Sequence, residues 1–146
     1  MPYRVTFLDD IAVADMAFEA VADSPDELIR AATDAMIQCL ADPATVGRMW
    51  AHPVDRHAGD LSSLLFDWLQ EMVYLKDAHG VVFHDATLTL DRRAGEDACR
   101  LHGHVHGEPV DPTRHELRSD VKGVTKHLYE VKQTDSGWKA RVVVDV

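Results

Sequence analysis

With 146 residues, 46% of them hydrophobic, the chain can build one domain with its own core and is too short to expect two. Its 15 Lys and Arg against 25 Asp and Glu leave a formal net charge of −10, and the cations are scattered, which argues against the basic stripe that direct nucleic-acid contact needs. No apolar run approaches the ~18 residues of a membrane span and no charged-then-apolar leader opens the chain, so a cytoplasmic protein without a membrane anchor is expected.

The segment Tyr3–Leu8 alternates weakly and predicts a strand. A second strand is predicted over Ile11–Val21, after the acidic pair Asp9-Asp10. Ser24-Pro25-Asp26-Glu27 is a helix start, since Ser24 can cap, Pro25 suits the first helical position and Glu27 can bond back to the cap backbone. Leu28, Ala32, Met36, Cys39 and Leu40 then recur at helical spacing, until Asp42-Pro43 ends the run. Met49–Val54 predicts a short strand, placed at a sheet edge or strand end by Pro53. After a loop holding His57 and Gly59, Asp60 is the expected cap of a second helix. Leu61, Leu64, Leu65, Trp68, Leu69, Met72 and Val73 give that helix the strongest amphipathic pattern in the chain, and His79-Gly80 closes it.

Four strand-like segments follow. Val81–Phe83 with Ala86–Leu90 reads as one strand, Arg92–Asp97 as a hairpin turn and Cys99–His106 as its partner. The last two strands are predicted over Val121–Gln133 and Trp138–Asp145, joined by the turn Thr134-Asp135-Ser136-Gly137. This order predicts a single α+β domain over residues 1–146, two-layered, with a mostly antiparallel sheet and two amphipathic helices packed on one face. Trp50, Trp68 and Trp138 are expected as core or interface anchors. Cys39 and Cys99, without metal-like spacing, are expected as buried thiols rather than a disulfide.

The tail draws attention because termini usually fray, whereas here a strand runs to the last residue. It holds the Asp145 side chain and the Val146 α-carboxylate side by side. Asp15, between Ala14 and Met16, is a carboxylate in an apolar setting and needs a partner. That partner is either a Lys or Arg or, if Asp15 joins Asp145 and the terminal carboxylate, a hard cation such as Ca²⁺ or Mg²⁺. His102, His104 and His106 share one face of their strand, opposite Leu101 and Val105. They form either a solvent-facing row or a transition-metal ligand set, although about 13 Å separates the ends of such a run. Asp111-Pro112 with Arg114-His115 reads as a turn rather than acid–base machinery. No serine-hydrolase elbow, glycine-rich phosphate loop or H-E-x-x-H motif is present, so no catalytic residue is assigned.

Several weak motifs occur together in order. They are Gly107-Glu108-Pro109, Asp111-Pro112 and Arg114-His115, then Val121-Lys122-Gly123-Val124-Thr125, then Trp138, Ala140, Val142 and Asp145-Val146. With the helix pattern Leu64-Leu65, Trp68-Leu69, Glu71, Tyr74-Leu75 and the following Gly80-Val81-Val82-Phe83, the chain resembles the archease family over nearly its whole length. The resemblance implies a small acidic α+β accessory protein, not an enzyme in its own right. Its partner would be an RtcB-type RNA-splicing ligase, whose guanylylation and repeated turnover it promotes in tRNA splicing and RNA repair. It also implies a divalent-cation site, calcium or magnesium, on Asp15, Asp145 and the carboxylate of Val146, aligned through Ala14-Asp15 and Ser24-x-Asp26-Glu27-Leu28. The chain departs from the family pattern where Ala12 and Val13 replace His and Thr, and Ala17 replaces Gly, which removes side chains that could orient the Asp15 carboxylate. Two alternatives stay open: a diverged paralogue acting as a metal-free protein-binding module, and a small metalloprotein using His102, His104 and His106.

Overall fold

A computed structural model describes residues 3–8, 15–93 and 95–146. In chain order its elements are β1 (Tyr3–Leu8), β2 (Asp15–Ala22), α1 (Pro25–Leu40), a single 3₁₀ turn (Pro43–Thr45), β3 (Trp50–Ala58), α2 (Leu61–His79), β4 (Val81–Arg92), β5 (Cys99–Pro109), β6 (Gly123–Thr134) and β7 (Gly137–Asp145). The α+β class with two helices holds. The strands divide into two antiparallel sheets, one ordered β1-β2-β7-β6 and the other β3-β5-β4.

Local chemistry explains the helices. The Ser24 hydroxyl accepts from the Glu27 backbone N–H at 3.2 Å, and Pro25 occupies the first turn. Glu27 Oε2 is buried without a hydrogen-bond partner, so this oxygen does not return the bond to the Ser24 backbone N–H. Asp42 starts the 3₁₀ turn instead, accepting from Ala44 N–H at 3.0 Å. In α2, Asp60 accepts from Ser63 N–H at 2.7 Å, and Gly80 closes the helix in the left-handed conformation at φ 61°. All seven apolar positions predicted for the inner stripe of α2 are buried. Both helices contact both sheets, so α1 buries residues almost all the way round and shares one core with α2. Among the described residues no helix is long and apolar enough to cross a membrane.

The strands differ from expectation mainly at their ends. The part of the second predicted strand that is described begins at Asp15; residues 11–14 lie outside the described residues. β3 runs four residues beyond Val54, to Ala58, and so takes in His57, because every residue from Trp50 to Ala58 pairs with β5. Pro53 is tolerated there because β3 is an edge strand. β4 is continuous, the gap at His84 being a bulge between Phe83 and Asp85. At Gly107 a Cβ would stand 2.1 Å from the Val82 carbonyl oxygen, so only glycine lets β4 and β5 approach this closely.

Candidate functional site at the paired ends of β2 and β7

Asp15 opens β2 and Asp145 closes β7, and the antiparallel register sets them directly opposite each other. Residues so paired share a face, with Cβ atoms about 4.5–5.5 Å apart. The flanking pairs Met16–Val144 and Ala17–Val143 continue the same ladder, and Val142, Val143 and Val144 are buried. The acid pair is therefore fixed by the core beneath it. On the other side of β7, Asp145 pairs with Gly123 of β6. Asp15 is half-buried and Asp145 exposed, while Val146 packs against the main core and so anchors the last residue. Among the described residues neither carboxylate has a Lys or Arg ion-pair partner, so the salt-bridge alternative for Asp15 is not realised there.

One loop ties this end together. After β5, residues 110–122 cross to β6, and on the way the Ser119 hydroxyl donates to Met16 Sδ at 3.0 Å and Lys122 N–H donates to the Asp145 carbonyl at 2.7 Å. The loop thus touches the neighbour of one acid and the backbone of the other. Its root is a buried ionic knot. Glu108 is 1% exposed and accepts from Gly47 N–H at 2.6 Å, from His115 Nε2 at 2.8 Å and from Arg114 at 2.9 Å. The Asp111 backbone N–H donates to His115 Nδ1 at 3.0 Å, so Nδ1 is the acceptor and Nε2 carries the proton. The Gly47 N–H above all, with His115 and Arg114, holds the Glu108 carboxyl down to about 2 against the opposing effect of burial. A Cβ on Gly47 would come within 3.1 Å of that carboxylate, so any side chain here would have to displace the knot by a few tenths of an ångström.

Sequence reading placed Asp111-Pro112 and Arg114-His115 in a turn, and they are in one: Arg114 and His115 N–H both donate to the Asp111 carbonyl. It missed the knot, because Gly47 lies 61 residues from Glu108. The three histidines of β5 do face away from buried Leu101 and Val105. They do not converge: His102 bonds Asp91 at 3.0 Å, His106 bonds Asp85 at 2.9 Å, and His104 is exposed. Cys39 and Cys99 are free and buried, and burial pushes the Cys39 thiol up to about 11.

The fold and this end of it define a small α+β protein that presents paired carboxylates at a sheet terminus. The sequence model described as Archease protein family (MTH1598/TM1083) matches residues 6–146, and the chain belongs to that family. Protein archease of Methanopyrus kandleri is 34% identical over 133 residues, covering 91% of this chain and 94% of that protein. Protein archease of Pyrococcus furiosus is 28% identical over 134 residues, covering 91% and 93%. The solution structure of Methanobacterium thermoautotrophicum protein 1598 superposes with a TM-score of 0.77 at 30% identity, over 97% of this chain and 98% of that one. A crystal structure from Thermotoga maritima, of an archease and possible chaperone, shares the fold at a TM-score of 0.54 and 17% identity, over 95% and 97% of the two chains.

Proposed function

We propose that this protein activates an RtcB-type RNA ligase, promoting its guanylylation and repeated turnover in tRNA splicing and RNA repair, without being an enzyme itself. It does so with a divalent cation, Ca²⁺ or Mg²⁺, held by Asp15, Asp145 and the α-carboxylate of Val146. Family membership supports the accessory role. The observation that carries the cation is the placement of Asp15 opposite Asp145 with, among the described residues, no Lys or Arg paired to either. Like charges set opposite each other in a ladder are unfavourable, and a cation between them reverses the sign of that interaction. Carboxylate oxygens are the donors that hard cations prefer over zinc or copper.

When bound, such an ion supplies positive charge and coordination positions open to oxygen ligands of a partner. The chain's own residues do the rest. Asp15 and Asp145 hold the charge at the sheet end, Val146 anchors the last carboxylate through its side chain, and the Ser119 and Lys122 contacts keep the loop against both strands. The net charge of −10 suits a basic cleft on the ligase and speeds encounter with it. Residues appended after Val146 leave the fold intact but remove the free α-carboxylate. A C-terminally extended protein is accordingly expected to lose stimulation of a cognate ligase in a multiple-turnover assay. Full stimulation by that protein would remove Val146 from the site.

A second reading rests on Ala12 and Val13, which stand where the family pattern has His and Thr. In it the chain keeps the docking function and binds no ion. The two readings separate on divalent-ion binding by the purified protein.

A further inference from the structure

The open edge of the three-stranded sheet carries a second, chemically different arrangement. Strand β3 turns Trp50, His52, Val54 and Arg56 toward α2, where Arg56 ion-pairs with Asp67 and Glu71. At the far end of the same face, His79 closes α2 beside His52 and Trp50. The three rings form a triangle, with centres 5.7 Å apart for Trp50 and His52, 5.4 Å for Trp50 and His79, and 5.4 Å for His52 and His79.

Three observations bear on the imidazole pair. The first is spacing. With a metal–nitrogen bond of about 2.0–2.1 Å, a ligating imidazole centre lies roughly 3.2 Å from the ion, so two on one tetrahedral ion have centres about 5.2 Å apart. The observed 5.4 Å matches that separation. The second is tautomer. His52 Nδ1 lies 2.8 Å from the Pro53 carbonyl, an oxygen that can only accept, so Nδ1 carries the hydrogen and Nε2 is left as the lone-pair nitrogen. A backbone carbonyl on the remote nitrogen is the usual way a metal-binding imidazole is oriented. The third is field and access. His79 is exposed on the last residue of α2, where the helix dipole is negative and favours a cation.

We infer that His52 and His79 form an open two-imidazole site for a divalent transition-metal ion, its remaining positions taken by water or by a partner's ligand. Imidazole nitrogen selects zinc and copper over calcium and magnesium, so this site and the acidic sheet end do not compete for one ion. Two protein ligands make the binding reversible rather than structural, in contrast to a closed four-ligand site.

Trp50 is a built-in reporter, because Cu²⁺ held beside an indole quenches its emission. Tag-free protein titrated with CuCl₂ in a non-coordinating buffer should show one saturable quenching phase, unchanged by millimolar Ca²⁺. His52→Ala and His79→Ala should each weaken that phase at least tenfold, whereas the His102→Ala/His104→Ala/His106→Ala triple variant should keep it within twofold. Wild-type quenching in both single variants, or loss of the phase only in the triple variant, would overturn the assignment. Calorimetry with ZnCl₂ provides a second readout that does not depend on Trp50. One site should be present in the wild type and absent from His79→Gln, whose exposed position leaves the fold undisturbed; binding retained by His79→Gln counts against the site.

Discussion

Glu108 is where a single residue has the longest reach. A carboxylate with 1% exposure persists only when each lone pair is answered, and here Gly47 N–H, His115 and Arg114 do so. Its carboxyl is held well below its ordinary value of 4.5, down to about 2. A depressed folded value stabilises the protein above pH 4.5, and that contribution is lost as pH falls from there toward 2. Glu108→Gln should therefore lower stability at pH 7, and the gap to wild type should close across that acid range in urea unfolding midpoints. A gap that stays constant down to pH 2 would show that the charge on Glu108 does not hold the loop.

At the scale of elements, each helix depends on a few polar atoms at its ends. Asp60→Ala removes the oxygen that receives Ser63 N–H and should cost about 1 kcal/mol, while Asp60→Asn, which keeps an acceptor, should cost less. Gly80→Ala places a Cβ on a residue at φ 61° and should cost roughly 1 kcal/mol, measured by thermal unfolding. These caps and the apolar stripe of α2 were legible in the sequence because the spacing rules that set them act within a turn or two. The same locality made Trp138–Asp145 readable as a strand, and Gly137 extends it by one residue.

What the sequence could not reveal depends on distant partners. The split into two sheets follows from pairing choices that alternation cannot rank, and β3 outran its prediction because β5 pairs all of it despite Pro53. The union of Gly47 with Glu108, and of His52 with His79, appears only once strands and helices are packed. Asp15 and Asp145 were singled out one by one from their neighbours and by family resemblance. Their direct opposition comes from a register spanning nearly the whole chain.

The whole molecule then carries two chemically distinct groups on one core: paired carboxylates where β2 meets β7, and the His52–His79 imidazole pair where α2 meets the β3 edge. In a protein of net charge −10, setting two carboxylates opposite each other with no ion-paired Lys or Arg among the described residues costs stability, about 0.2–1 kcal/mol, unless a cation offsets it. The proposed activity rests on that offset. Thermal unfolding of wild type and Asp15→Asn, with and without Ca²⁺ or Mg²⁺, tests it most directly. A cation at a hundredfold excess over its dissociation constant contributes about 2.7 kcal/mol, which raises the midpoint of a domain this size by roughly 5–10 °C. Wild type should show that rise, and Asp15→Asn should lose it while unfolding at or above the wild-type temperature when no divalent ion is present. An equal rise in both proteins, or none in wild type, would contradict a cation site at Asp15 and Asp145.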